Sequence, residues 1–249
     1  MGSRLETKLL RLVGKASKDF DLIVPGDRIM VGVSGGKDSY TLLHLLRKIQ
    51  RKVPFEFSVV GVNLDQGHPG FPADMLRGWF EDEGYEYRMI AKDTYSIVQD
   101  KVPEGKTYCS MCSRLRRGIL YNVAEELGAT KIALGHHRDD IIETLMLNLL
   151  YSGQIKAMAP RLVSDDKRNV VIRPLAYCAE DDIRQFSEEM AFPIIPCDLC
   201  GTQENLERQN IKRLITHLNE RNPNVKGNLF AALSNVRPSH LLDPDLRSA

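Results

Sequence analysis

The residues best able to do chemistry in this chain are four cysteines and one short glycine-containing loop. Cys109 and Cys112, and Cys197 and Cys200, form two Cys-x-x-Cys pairs with 84 residues between them (113 to 196). Paired thiols at that spacing suit a metal or redox site. Taken alone such pairs more often mean structural zinc, although spacing does not separate zinc from an iron–sulfur cluster, since both take four thiolates. The loop Ser34-Gly35-Gly36-Lys37-Asp38-Ser39 offers two glycines, two hydroxyls and a lysine ahead of a helix. Backbone amides and the helix dipole favour phosphate at such a place, and Lys37 adds a point charge. The spacing is not that of a Walker loop. Asp38 makes sense beside phosphate with Mg²⁺ or another cation between them. A capped helix behind a tight turn is the plain alternative.

The elements around that loop alternate. Residues 1–24 read as an amphipathic helix, with Leu5, Leu9, Leu10, Leu12 and Val13 opposite Lys8, Arg11 and Lys15. Strands are expected at 29–33, 57–64, 85–90, 132–134 and 170–172. Helices are expected after the loop (Leu42, Leu45, Leu46 and Ile49) and over 74–83, 113–127, 139–151 and 180–190. Regular alternation means an α/β fold with a parallel sheet covered on both faces. Helices at 204–219 and 226–233 and an irregular tail from Arg237 complete the reading. The division expected is an N-terminal helix (1–24), an α/β domain with the first cysteine pair (25–195) and a C-terminal helical segment with the second (196–249). In open α/β sheets ligands bind beyond the carboxyl ends of the strands. Loop 34–39, Asp65-Gln66-Gly67 and Gly135-His136-His137-Arg138-Asp139-Asp140 all follow strands.

Composition sets the background. The chain has 249 residues, 43% hydrophobic and 27% charged, enough for a core without disulfides. Lys plus Arg number 34 against 33 for Asp plus Glu, so any nucleic-acid surface must be a local patch. No apolar run reaches the ~18 residues of a membrane span, and Met1 to Phe20 has no apolar signal segment. These features point to a cytoplasmic protein with reduced thiols.

Four motifs in order carry a resemblance that covers about residues 5 to 235. Loop 34–39 resembles the signature of the PP-loop ATP pyrophosphatases, whose fold is a Rossmann-like, adenine nucleotide alpha hydrolase-like α/β domain. Gly135-His136-His137-Arg138-Asp139-Asp140, running into Glu143-Thr144, resembles the second motif of its tRNA-modifying members. The stretches Cys109 to Gly118 and Pro196 to Gly201 resemble the tRNA-cytidine 2-sulfurtransferases, which make 2-thiocytidine at position 32 of the anticodon loop. The resemblance implies ATP as co-substrate, Mg²⁺, adenylation of the cytosine C2 oxygen with loss of pyrophosphate, and sulfur transfer. It implies a 4Fe–4S cluster held by Cys109, Cys112 and Cys197, with Cys200 the less certain ligand. Lys37 and Asp38 are implied as catalytic. Together with them, Ser34, Gly35, Gly36, Ser39, Asp65, Gly135, His136, Asp139 and Asp140 are implied to bind the nucleotide. Partners implied are tRNA, a cysteine desulfurase as sulfur donor, and a second copy in a homodimer.

Plainer readings stand beside these. Adjacent histidines at a strand end are often only satisfied polar groups, and acids at a helix start are favoured by the dipole. Asp65 can simply cap a turn, and Glu143 reads as a structural partner. Arg114, Arg116 and Arg117 suit a tRNA backbone, and Arg208, Lys212 and Arg213 extend that expectation. Cys178 and Trp79 read as core residues. The competing functions are a PP-loop 2-thiouridine enzyme, whose extra terminal cysteines this chain lacks, and a zinc-containing RNA-binding module without activity. A lysidine-forming relative would lack the cysteine pairs.

Overall fold

The computed structural model describes residues 2–101, 109–195 and 206–246. The first helix, α1 (Arg4–Phe20), is capped by the Ser3 side chain, which accepts from the Glu6 amide. It is followed by β1 (Arg28–Gly32), α2 (Lys37–Gln50), β2 (Ser58–Asp65), α3 (Ala73–Asp82) and β3 (Tyr87–Ala91). Then come α4 (Tyr95–Lys101), α5 (Cys109–Glu126), β4 (Lys131–Ala133), α6 (Arg138–Leu147), β5 (Arg161–Val163), β6 (Val170–Ile172) and α7 (Glu180–Glu189). Two further helices are α8 (Leu206–Arg221) and α9 (Val225–Ala232).

The strands form one sheet in the order β3-β2-β1-β4-β6-β5. β1 lies in its interior, parallel to β2 and β4, and Val31 pairs with Gly61 and Ala133. Its residues alternate between two cores, as a strand buried on both faces must. Ile29 and Val31 join Leu9, Leu42, Leu45, Ile183 and Phe186 from α1, α2 and α7. Met30 joins Val60, Ile132 and the α5 residues Leu120, Val123 and Ala124. The covered parallel sheet is therefore as expected, with one correction at its edge. β5 runs antiparallel to β6, pairing Leu162 with Val171. A tight turn joins them, in which Lys167 adopts a left-handed φ of 60° and Ser164 and Asn169 bond across it.

The chain divides into two compact units. The first comprises 1–138 and 159–205 and holds the sheet; the second comprises 139–158 and 206–249. α1 falls in the unit that holds the sheet, and residues 139–158 fall in one unit with residues 206–249. In the second unit Ile142 of α6 packs with Ile211 and Ile215 of α8, flanked by Leu229 and Phe230. After α6 a π-helical turn (Asn148–Ser152) ends at Gly153, whose φ of 63° caps it.

Candidate functional site

The phosphate-loop candidate sits where β1 gives way to α2. Gly36 is the N-cap of α2 and makes no side-chain cap bond. The first amides of the helix therefore face the loop with the positive end of the dipole behind them. Gly35 has a φ of 85°, and a Cβ there would run into Ile195. The same residues are joined by a hydrogen bond, Ile195 N donating to the Gly35 carbonyl at 2.9 Å. Ile195 stands two residues before Cys197 in the sequence. Asn63 of β2 is buried and donates its side-chain amide to the Val33 carbonyl at 2.8 Å, fixing the strand end that launches the loop.

The charged groups of the loop form a chain. Lys37 Nζ lies 3.1 Å from each carboxylate oxygen of Asp38 and 3.5 Å from Glu180 Oε1 on α7. His137, buried after β4, places Nε2 3.7 Å from Asp38 Oδ1. Gly135 belongs to the same cluster. A Cβ there would sit 3.1 Å from the Asp38 carbonyl carbon, so the β4 loop approaches the start of α2 as closely as glycine allows. His136 is half-buried beside it. Ser39 donates its hydroxyl to the Gly36 carbonyl and Ser34 Oγ accepts from Gly36 N, so both hydroxyls brace the loop. Asp65 accepts from Gly67 N at 2.9 Å, the turn-capping role. The structure thus brings Lys37, Asp38, Gly135 and His137 together within the first unit, with Glu180 added.

Asp139 and Asp140 open α6 in the second unit, where both meet basic side chains. Lys226 lies 2.8 Å from Asp139, and Arg208 lies 4.0 Å from Asp140 and 3.4 Å from Glu143. Glu143 is a structural partner, as expected, and Arg208 is drawn into that ion-pair set. Lys212, Arg213, Thr216 and His217 instead line a surface groove of about 430 Å³ on α8.

The first cysteine pair lies on the opening turn of α5, earlier than the start expected at 113. Cys112 is half-buried. A thiolate is a soft ligand of the kind that an iron–sulfur cluster or zinc takes. The other pair, Cys197 and Cys200, lies outside the described residues. Among the described residues no group of three His, Cys, Asp or Glu side chains forms a metal cage. Arg114, Arg116 and Arg117 are exposed on α5. Cys178 is fully buried, and burial pushes its thiol up to about 12, so it is a core residue. Trp79 packs half-buried against Tyr40, Phe80 and Tyr85.

The PP-loop domain family matches residues 1–218. A tRNA-cytidine(32) 2-sulfurtransferase of Anaeromyxobacter sp. (strain K) is 61% identical over 243 residues, covering 98% of this chain and 84% of the relative. The chain belongs to the tRNA-cytidine(32) 2-sulfurtransferase family. A tRNA-cytidine(32) 2-sulfurtransferase of Vibrio vulnificus (strain YJ016) is 57% identical over 98% of this chain and 79% of its own. Among solved structures, the U34-tRNA thiolase NcsA from Methanococcus maripaludis, with its 4Fe–4S cluster, superposes with a TM-score of 0.74. It is 22% identical, covering 94% of this chain and 80% of that one, a likeness of fold. In this member of the tRNA-cytidine(32) 2-sulfurtransferases, Glu180, Asn63 and Ile195 contact the candidate loop or the strand end before it, and no motif announced them. Asn63 had a signal, a lone amide following the apolar run Val59 to Val62. Glu180 had none beyond being one of three acids at a helix start.

Proposed function

We infer that this protein thiolates cytidine 32 of tRNA at the expense of ATP. The cytosine C2 oxygen takes the adenylyl group from ATP and pyrophosphate leaves; a sulfur nucleophile then attacks C2 and AMP departs. The observation that carries this reading is the cluster of Gly35, Gly36, Lys37, Asp38 and Gly135 at the amino end of α2, in a chain of this family. The α2 amides and Lys37 bind the phosphates, and Lys37 offsets the charge that grows on the leaving pyrophosphate. Asp38 is suited to hold Mg²⁺ against those phosphates, with His137 steadying its carboxylate. Ser34, Ser39, Asp65 and His136 complete the nucleotide site. Asp139 and Asp140 are proposed as nucleotide-binding on the motif alone, since Lys226 and Arg208 already face them.

Cys109, Cys112 and Cys197 would hold a 4Fe–4S cluster, which when bound supplies an iron able to present sulfur to the activated base. What supports this is the family to which the chain belongs, in which the stretches Cys109 to Gly118 and Pro196 to Gly201 carry the resemblance. Arg114, Arg116 and Arg117 are proposed to contact the tRNA backbone, with Lys212 and Arg213 as further candidates. A cysteine desulfurase is the proposed sulfur donor, and a homodimer the proposed assembly. The test is pyrophosphate release by the anaerobically prepared holoenzyme with ATP and tRNA. Release that requires tRNA carrying cytidine 32, and is lost in Lys37→Ala and Asp38→Asn, is the expected result. Release independent of that base would overturn the substrate assignment.

A further inference from the structure

We infer that Glu180 is the positioning residue for the phosphate-loop lysine, holding Lys37 in place while Asp38 turns to the nucleotide's cation. This rests on the reading of loop 34–39 as the ATP site. Lysine carries a compact charge on a flexible four-carbon stem, so on a loop its ammonium needs an external contact to stay put. Here it has carboxylates on two sides, Asp38 at 3.1 Å and Glu180 at 3.5 Å. Asp38 cannot serve Lys37 and a cation equally, and the contact that remains when it turns is Glu180.

The geometry supports the contact. The Glu180 side chain is 13% exposed, and a carboxylate that far out of water is costly unless paired. Acids at a helix start are stabilised by the dipole anyway, and α7 begins with three. Asp181 meets Arg184 at 2.6 Å and Asp182 meets Lys8 at 2.7 Å, whereas Glu180 reaches across to the phosphate loop. Its helix is a firm support, because Ile183 and Phe186 are anchored in the same core as Leu42, Leu45 and Leu46 of α2.

The test is a double-mutant cycle on the holoenzyme: parent, Glu180→Ala, Lys37→Ala and both together. Dissociation constants are measured for a fluorescent ATP analogue with Mg²⁺, and melting temperature serves as the folding check. The α2 amides keep binding measurable without Lys37. Glu180→Ala is expected to weaken binding about three- to tenfold in the parent and less than about twofold in the Lys37→Ala background. Glu180→Gln, which keeps an acceptor oxygen, should fall between parent and Glu180→Ala, and the KM for tRNA should not move. Equal losses in both backgrounds, or no loss in the parent, would overturn the proposal. The parent is also assayed for tRNA thiolation. Inactivity there with coupling intact would refute the proposed function and leave the Glu180–Lys37 link standing.

Discussion

Gly35 and Gly135 show how far single residues fix the phosphate loop. One adopts a left-handed φ against Ile195, and the other lets a neighbouring loop touch Asp38. Neither position tolerates a methyl group without movement of the loop. Gly135→Ala is expected to lower ATP affinity about tenfold, or ~1.4 kcal/mol, within the range of overpacking penalties. Titration with the same fluorescent ATP analogue checks this. The cysteines separate cleanly by environment. Cys112→Ala should lose bound iron, whereas Cys178→Ala should keep it and cost about 1–2 kcal/mol of stability, because the Cys178 thiol is buried and inert. Iron analysis and thermal melts distinguish the two. At this scale the sequence showed where the Ser34 to Ser39 loop would lie, between β1 and α2, because glycines and hydroxyls between an apolar strand and a helix leave no other pattern. Glu180 was hidden because its partner, Lys37, lies 143 residues away and only the packing of α7 on α2 joins them.

Elements carry the next level of information. Strong apolar runs such as 29–33 and 57–64 were legible because a strand buried on both faces leaves no other pattern. α4 and β5 were not: α4 is a short helix of seven residues, and β5 is an edge strand of three whose side chains are all exposed. Such segments are specified by the hairpin or neighbour they join, and their own residues say little. The pairing of α1 with α2 leads to a pH prediction. Glu6 Oε1 lies 2.8 Å from His44 Nε2 and 3.5 Å from Lys48 in a largely buried contact. Burial holds His44 below its ordinary value of 6.5. Burial pushes Glu6 upward, but the contacts with His44 and Lys48 outweigh it and leave Glu6 below 4.5. Both groups bind protons more readily in the unfolded chain, so acidification destabilises the fold. Stability should be full above about pH 6.5, fall first as His44 is forced to protonate, and fall again below 4.5 as Glu6 does. Melts across pH 4 to 8 should show this, and His44→Gln should flatten the upper step. On α5, replacing Arg114, Arg116 and Arg117 together should weaken tRNA binding. It should also reduce the slope of log K against log salt by about one per lost phosphate contact. An unchanged slope would mean these arginines face only solvent.

At the scale of the molecule, the sheet unit supplies the phosphate loop and the helix bearing the first cysteine pair. The second unit gathers α6, α8 and α9 around Ile142, Ile211 and Ile215. Alternation of strands and helices made the first unit readable from sequence. The second is assembled from stretches 47 residues apart (159 to 205), and periodicity cannot report such a pairing. A near-neutral net charge is compatible with an RNA substrate, since a local patch of cations can carry such a contact. The proposed reaction is ATP-dependent replacement of oxygen by sulfur at C2 of cytidine 32. Its most direct test is nucleoside mass spectrometry of tRNA after incubation with the anaerobic holoenzyme, ATP, Mg²⁺ and a sulfur source. The expected result is 2-thiocytidine at position 32, about one AMP formed for each, and none without ATP or with Lys37→Ala. Unmodified cytidine 32 after turnover of ATP, or thiolation without it, would contradict it.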